Sequence, residues 1–216
     1  MVIKLGNAYK KNEVRSEDEG IRYEVIPFKN KKDIEKIKQY LMGKKNKRDY
    51  ALFVLGCNVG LRTQDLVAMK VKDVSSDKNT IKKKVQVIEQ KTGKIRELVL
   101  NDAAINALKL YLSSRDIYNP DAWLFPSRKG QDHITVDSVR DIIKLTCKEL
   151  NIKGNYGAHS LRKTFGYWVF VNNTQKNPLV LVTLQKIFNH TTQATTLRYI
   201  GIESSEIINI YQTLNI

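Results

Sequence analysis

The chain has 216 residues, of which 37 are lysine or arginine and 22 are aspartate or glutamate, so its formal net charge is +15. This length suits one domain with short appendages and is long enough to bury a hydrophobic core. The basic residues recur along the whole length, which favours a polyanionic partner such as nucleic acid. The sequence has neither a signal-peptide core nor a run of about 18 apolar residues, so we expect a cytoplasmic protein that is not secreted and does not span a membrane.

The first third of the chain shows a polar segment followed by helical patterns. Residues 1–23 are charge-rich with little periodicity and are predicted to form a flexible arm. In "KDIEKIKQYLMGKK" apolar residues recur at helical spacing up to Gly43, and "RDYALFVLGCNVGLR" predicts a more buried helix that ends between Gly56 and Gly60. The next stretch, "RTQDLVAMKVKDV", predicts a short helix that runs into a strand.

The strongest β signal lies in "KKVQVIEQKTGKIRELVL", where β-branched residues alternate on both sides of Thr92-Gly93. A two-residue turn at Thr92-Gly93 would close a hairpin with Lys91 and Lys94 at its tip. The pattern therefore predicts an antiparallel hairpin, which would form most of a small sheet.

Helical patterns dominate the rest of the chain. Helices are predicted over 103–113 and 136–150, joined by the loop "NPDAWLFPSRKGQDH". "SLRKTFGYWVF" and "PLVLVTLQKIF" predict two further helices, the second with Pro178 in its first turn. The whole chain is predicted to have a mixed α+β fold, mainly α-helical, with a small three-stranded antiparallel sheet.

The two cysteines, Cys57 and Cys147, lie in apolar helical patterns. They have no CxxC spacing, and no histidines cluster near them, so neither a disulfide framework nor a zinc site is indicated. We expect both to be buried free thiols.

Four short stretches carry side chains that would make chemical sense as one site. Considered singly, each has an ordinary structural explanation: an arginine paired with Asp65, a solvated hairpin lysine, an exposed pair at a helix start, a histidine at a helix boundary and a half-buried tyrosine. The residues are Arg62 in "VGLRTQDL", Lys91 in "QKTGK", His159 and Arg162 in "HSLRKT", and His190 and Tyr199 in "FNHTTQATTLRYI".

The order Arg, Lys, His-x-x-Arg, His, Tyr resembles that of the tyrosine recombinase (phage integrase) family of site-specific DNA recombinases. The resemblance covers roughly residues 24–202, and its most specific parts are "HSLRKT" and a histidine followed nine residues later by a tyrosine. It implies a catalytic domain of this family over 24–203. It also implies a C-terminal tail helix over 204–216 that docks on a neighbouring protomer, although an apolar face packed on its own core would give the same pattern.

The resemblance implies that Tyr199 attacks a DNA phosphodiester to give a 3′-phosphotyrosine and a free 5′-hydroxyl, which conserves the bond energy without ATP. Arg62 and Arg162 would hold the non-bridging oxygens with charge that does not titrate. Lys91, which occupies the family's position in the "KTGK" turn, is chosen over Lys94 to protonate the leaving 5′-oxygen.

The resemblance also gives the two histidines their roles. His159 would support proton transfer to or from the tyrosine hydroxyl, and His190 would hydrogen-bond the scissile phosphate. Because the arginines take the place of a Lewis acid, no metal and no cofactor are expected.

Several features depart from the family pattern. Asn189 stands where a glycine usually precedes the second histidine, and "RELVLN" lacks a common proline. "VNNTQKNP" is predicted to be an enlarged loop. Residues 1–30 cannot hold the separate core-binding domain of many members, so the chain resembles the family's short invertases or a catalytic fragment of a longer integrase.

The implied partner is double-stranded DNA, on which the chain would assemble as a homotetramer across two sites. DNA-bending or directionality factors would be accessory partners, and the location would be the nucleoid within the cytoplasm. Two alternatives stay open from the sequence: a type IB topoisomerase with the same chemistry, and a non-catalytic DNA-binding regulator on the same fold.

Overall fold

The computed structural model describes residues 24–202. The predicted arm over 1–23 and the predicted tail helix over 204–216 lie outside the described residues. Within residues 24–202 the chain forms nine helices and two strands, in the order α1 Lys31–Gly43, α2 Lys47–Val59, α3 Thr63–Val67, α4 Val71–Val74, β1 Lys84–Ile88, β2 Ile95–Val99, α5 Asp102–Leu112, α6 Val136–Glu149, α7 Ala158–Asn173, α8 Val180–Phe188 and α9 Gln193–Ile200.

Helix α2 is the centre of the larger hydrophobic core. Residues 51–56 are all buried, and the helix contacts α1, α5 and α7. A Cβ at Gly56 would lie 2.7 Å from Cδ1 of Leu161, so the missing side chain lets α7 approach closely. The run "ALFVLG" is thus apolar on every side because α2 is surrounded by other elements.

A smaller core joins α8 and α9 to the second half of α7. It is formed by buried residues of the C-terminal region, namely Val180, Leu184, Phe188, Ile200 and Ile202. Gly166 of α7 makes this packing possible, because a Cβ there would lie 2.6 Å from Ile200 and from Phe188. The helix that carries Tyr199 is therefore held directly against α7.

Local capping explains why the helical predictions agree with the structure. Asn46 caps α2, Asn101 caps α5 and Thr135 caps α6, each through a side-chain oxygen that accepts a backbone N–H. The predicted helix over 103–113 is shifted by one residue from the observed α5, and the predicted helix over 136–150 is one residue longer than the observed α6.

The sheet prediction is correct in its hairpin and wrong in its strand number. Strands β1 and β2 pair antiparallel with Ile88 opposite Ile95, and the described residues contain no third strand of this sheet. Before β1, Ser75 and Ile81 form an isolated bridge that is not part of this sheet. The turn is also longer than predicted: the Glu89 N–H bonds to the Lys94 carbonyl, which leaves a four-residue loop over 90–93.

The strand predicted after α3 is wrong, because that segment forms the short helix α4. The Asp73 side chain accepts the Lys70 N–H at 2.7 Å and so closes a helical turn. The Val71 and Lys72 N–H groups bond to carbonyls of the 120–122 loop. Side-chain capping and contacts with a distant loop thus determine the structure of a segment whose sequence pattern predicts a strand.

The predicted loop "VNNTQKNP" is shorter in the structure. Helix α7 continues through Asn173, and the connection covers only 174–179. Helix α8 begins at Val180, two residues after Pro178, because the Asn177 side chain accepts the Leu179 N–H and forms a turn first.

Both cysteines are free thiols, as predicted, although Cys57 is half-buried while Cys147 is buried. Burial raises the pKa of Cys147 to about 12 and also raises the pKa of Cys57, so both are protonated at neutral pH. Within residues 24–202, no helix has the length and apolar character needed to cross a membrane.

Candidate active site

Arg62 is positioned by the end of α2. Gly60 closes that helix with a φ of +60°, and a Cβ there would lie 2.4 Å from the ring of Phe165. Only glycine fits both the backbone and the ring. The chain then runs extended into Arg62, the N-cap residue of α3.

Arg162 is buried on α7 and links two helix ends. Its Nη1 donates to the Gly60 carbonyl at 2.9 Å, and its Nη2 donates to the Phe188 carbonyl at 3.2 Å. Its guanidinium also lies over the Phe188 ring, 4.8 Å from the centroid. Burial lowers the pKa of Arg162 to about 10, so the group still carries a positive charge at neutral pH.

A third arginine, Arg96 of β2, was not among the predicted site residues. Its Nη atoms lie 3.3–3.4 Å from the carbonyls of Val59, Gly60 and Ile187. The Gly60 carbonyl therefore accepts hydrogen bonds from both Arg96 and Arg162. Arg96 fixes the turn end of the hairpin to the helix ends that Arg162 also holds.

Glu89, also missed, pairs with two of the arginines. Its Oε2 accepts from Arg62 Nη1 at 2.9 Å, and its Oε1 lies 3.6 Å from Arg96 Nη1. Burial raises the pKa of Glu89, but hydrogen bonds from Thr92 and Arg62 and the arginine charges outweigh it, and the pKa falls below its ordinary value. The carboxylate is ionised at neutral pH.

Asp65 supplies the second carboxylate of this cluster. Its side chain is buried, its Oδ2 lies 4.0 Å from Arg62 Nη1, and its Oδ1 accepts the Gln90 N–H at 2.9 Å. The local pair of Arg62 with Asp65 is thus present, but the closer carboxylate is Glu89. Three guanidiniums against two carboxylates leave the cluster positive.

Tyr199 lies on α9, whose N-cap residue is Thr192. The ring is half-buried, with its centroid 5.2 Å from that of Phe188 and 5.0 Å from that of His190. Burial raises the pKa of the phenol, while the charge of Arg162 and its hydrogen bond to the phenol lower it. The net effect is a raised pKa, so the phenol is protonated at neutral pH.

His190 follows Asn189, which ends α8 with a φ of +57°. Asparagine tolerates this left-handed conformation, which explains how it replaces the glycine usual in the family. Nδ1 of His190 lies 3.1 Å from the hydroxyl of Thr196, and that hydroxyl donates to the Thr192 carbonyl. Nδ1 therefore carries the hydrogen of this bond, and Nε2 is left to face other groups.

The two histidines share one electrostatic property. Burial, followed by the charges of Arg162 and Arg62, lowers the pKa of His190. Packing around the His159 ring, with the charges of Arg162 and Lys163, lowers the pKa of His159 although the residue as a whole is exposed. Both imidazoles are neutral at pH 7 and can accept a proton.

The predicted residues fall into two groups. The structure brings Arg62, Arg162, His190 and Tyr199 together around the Gly60 and Phe188 helix ends. His159 lies one turn before Arg162 on α7. Lys91 is exposed in the hairpin loop, beside Thr92, whose hydroxyl donates to Glu89 at 2.9 Å.

The missed residues had a usable signal in the sequence. Strand alternation places Arg96 on the same side of β2 as buried Leu98, and Glu89 on the same side of β1 as buried Val87. A charged residue on the buried side of a strand needs a partner. Among residues 24–202, no group of three His, Cys, Asp or Glu side chains is arranged to hold a metal ion.

Comparison with known proteins gives a family. The model described as "Phage integrase family" matches residues 28–206. "Probable integrase/recombinase YoeC" of Bacillus subtilis (strain 168) is 34% identical, and the match covers 83% of this chain and 91% of that protein.

Two further similarities are less complete. "Tyrosine recombinase XerC" of Caldanaerobacter subterraneus subsp. tengcongensis is 30% identical over 80% of this chain, which spans only 46% of that relative. The crystal structure of XerA recombinase superposes with a TM-score of 0.66 at 21% identity, covering 89% of this chain and 68% of that one, and so supports the fold. The family match and the YoeC similarity together establish that the chain belongs to the phage integrase family of tyrosine recombinases.

Proposed function

We propose that the chain is a site-specific DNA recombinase that cuts and rejoins strands through Tyr199. The observation that carries the proposal is the contact set around one phenol, which the buried, charged Arg162 reaches and which packs against His190. A phenol held by an arginine is suited to attack an anionic phosphodiester. A protein that only binds DNA has no use for this arrangement.

In the proposed step the Tyr199 oxygen forms a bond to phosphorus while the bond from phosphorus to the 5′-oxygen breaks. The phenolic proton passes to His159, which is neutral at pH 7, and Lys91 gives a proton to the leaving oxygen. One phosphoester replaces another, so no ATP is consumed. Attack by a 5′-hydroxyl on the phosphotyrosine reverses the step and rejoins DNA.

Arg62 and Arg162 hold the non-bridging oxygens in this proposal. Their fixed positive charge matches the extra negative charge of the transition state. His190 contacts the same phosphate through Nε2. Because its Nδ1 hydrogen is used on Thr196, this contact requires the protonated ring, which a bound phosphate anion favours.

The proposed partner is double-stranded DNA. Beside His159, an open groove of about 970 Å³ lies between α6 and the start of α7, and its lining includes Lys144 and an Arg140 that is paired with Asp137 and Asp141. The support for a DNA partner is the net charge of +15, which suits binding to a phosphate backbone. Assembly as a tetramer on two DNA sites, with accessory factors, is part of the same proposal.

The alternatives from the sequence are less well supported. Similarity to the recombinases above favours strand exchange over the simple relaxation expected of a type IB topoisomerase. Relaxation of a supercoiled plasmid without recombinant products would favour the topoisomerase instead.

The test is covalent trapping on a nicked suicide substrate, with inverted or direct repeats sought beside the gene as the source of its sequence. The wild-type protein is expected to form a protein–DNA adduct in EDTA, and Tyr199→Phe is expected to bind DNA without forming it. Tyr167→Phe, another half-buried tyrosine of the C-terminal region, is the matched control and should still form the adduct. An adduct in Tyr199→Phe, or a strict need for Mg²⁺, would contradict the proposal.

A further inference from the structure

Lys163 is a buried lysine next to the proposed nucleophile. Only 4% of its surface is exposed, and its Nζ lies 4.8 Å from the ring centroid of Tyr199. It follows Arg162 on α7, and its ammonium forms an ion pair with Glu24. The proposed mechanism gives it no role.

A lysine in this place is energetically unusual. Lysine is rarely buried unless it is paired, and removing its charge from water is costly. Its partner Glu24 is largely exposed, with 65% of its side chain in solvent, so the carboxylate could be hydrated without the lysine. An apolar side chain of similar length would fill the site at lower cost, and the retained charge therefore needs another explanation.

The segment that carries Glu24 is fixed in place. Residues 24–29 lie along α7 and reach the end of α9. Four hydrogen bonds hold the segment: the Ile26 N–H to the Asn155 carbonyl, the Phe28 N–H to the Thr164 hydroxyl, the Trp168 indole to the Phe28 carbonyl, and Lys29 Nζ to the Gly201 carbonyl. The pair of Glu24 with Lys163 is thus part of a built structure.

We propose that Lys163 is a positioning residue for Tyr199: its ammonium holds the ring by a cation–π contact and favours the ionised phenol, and the Glu24 carboxylate limits that effect. A cation near a phenol stabilises the phenolate, and an anion destabilises it. The proposal rests on the proposed role of Tyr199 as the nucleophile.

Other charged groups also face Tyr199. Burial raises the pKa of the phenol, Arg162 of α7 and Arg62 at the start of α3 lower it, and Glu24 raises it. His190 packs against the ring and is neutral at pH 7. The effects of Lys163 and Glu24 on the phenol can therefore be distinguished from those of the arginines only by substituting Lys163 and Glu24 individually.

The direct test places a difluorotyrosine at position 199 of the full chain and follows its ionisation by ¹⁹F NMR without DNA. Lys163→Met should raise the midpoint of ionisation by about half a pH unit or more, and Lys163→Arg should restore it. Glu24→Gln keeps the size of the side chain and an oxygen that can accept from Lys163, and it should lower the midpoint; its melting temperature would be measured alongside. The midpoint of the double variant, Lys163→Met with Glu24→Gln, should lie between those of the two single variants.

The second measurement is cleavage of the suicide substrate by the same variants, which now carry an ordinary tyrosine at position 199. At one pH near 8, Lys163→Met should cleave about three- to tenfold more slowly, Lys163→Arg should recover and Glu24→Gln should be faster. The dissociation constant for DNA should change little, because Lys163 is buried.

Unchanged midpoints in Lys163→Met and Glu24→Gln would overturn the inference, as would shifted midpoints without any change in cleavage rate. Loss of activity in Lys163→Met that Lys163→Arg does not restore would also contradict it, because that result indicates a packing role. Failure of the proposed function would look different: Tyr199→Phe would still form the covalent adduct.

Discussion

Arg62 and Glu89 form an ion pair at the place where we propose that the scissile phosphate binds. A phosphate that approaches Arg62 therefore competes with the Glu89 carboxylate for the same guanidinium. The Thr92 hydroxyl in the hairpin loop donates to that carboxylate. Displacement of Glu89 would therefore change the hydrogen bonding of the loop that carries Lys91. The two ends of the proposed reaction, phosphate binding and protonation of the leaving group, are connected through one carboxylate.

Lys91→Ala is expected to cleave ordinary DNA slowly, because the leaving 5′-oxygen then lacks its proton donor. A substrate with a bridging 5′-sulfur needs little proton assistance, since a thiolate leaves readily. Single-turnover cleavage of the sulfur substrate by the variant should therefore recover substantially.

Lys94→Ala is the matched control for this experiment, because Lys94 is an exposed lysine immediately after the same loop. It should cleave both substrates at nearly the wild-type rate. If Lys91→Ala were equally slow on both substrates, Lys91 would be a phosphate-binding residue and the acid role would be wrong.

The sequence predicted individual residues of the site unevenly. Arg62, Arg162, His190 and Tyr199 were predicted from the family resemblance in residue order and local spacing, and the structure places them near one another. Strand alternation could mark Glu89 as a charged residue that needs a partner, but it could not identify Arg62 as that partner, because the ion pair joins residues 27 positions apart. Such a contact depends on how the hairpin folds over α3, which no local pattern encodes.

At the scale of elements, the contact between α7 and α9 has the most direct bearing on function. Gly166→Ala would place a Cβ 2.6 Å from the side chains of Ile200 on α9 and Phe188 on α8, so these side chains must shift and push both helices away from α7. We expect the free energy of unfolding to fall by about 1–3 kcal/mol. Cleavage should fall more than DNA affinity, because Tyr199 moves with α9.

Thermal unfolding, DNA binding and suicide-substrate cleavage measured on the same preparation would check this expectation. Gly43→Ala is the control, since a Cβ there meets no atom within 4 Å. Normal cleavage by Gly166→Ala at reduced stability would mean that the position of Tyr199 does not depend on this contact.

Element prediction succeeded where local chemistry decides the structure and failed where distant contacts do. Helices α5 and α6 were predicted because a capping residue and an apolar period lie within each segment. The segment 71–74 was predicted as a strand, but its backbone bonds to the 120–122 loop. The hairpin turn was predicted to have two residues but has four. The Glu89 N–H bonds to the Lys94 carbonyl, which leaves residues 90–93 in the loop.

For the described part of the molecule as a whole, the candidate site lies where two hydrophobic cores meet. Arg162 donates to Gly60 at the end of α2, in the larger core, and to Phe188 at the end of α8, in the smaller one. Arg96 makes the same connection between α2 and the Ile187 carbonyl. The site geometry therefore depends on both cores being packed together.

Deletion of residues 204–216 tests the proposed exchange of the tail between protomers. If the tail docks on a neighbour, the shortened chain should keep its melting temperature and DNA binding but lose cooperative assembly and recombination. Melting curves and the stoichiometry of the DNA complex would be measured together. A large drop in melting temperature of the DNA-free protein would show instead that the tail belongs to its own core.

The central claim, that Tyr199 becomes joined to DNA, is tested most directly by identifying the residue in the trapped adduct. The wild-type adduct, formed in EDTA on a suicide substrate, would be digested with protease and nuclease and analysed by mass spectrometry. We predict a nucleotide 3′-phosphate on the peptide that contains Tyr199. A nucleotide on Tyr167, Tyr211 or any other residue, or a linkage through a 5′-phosphate, would contradict the account.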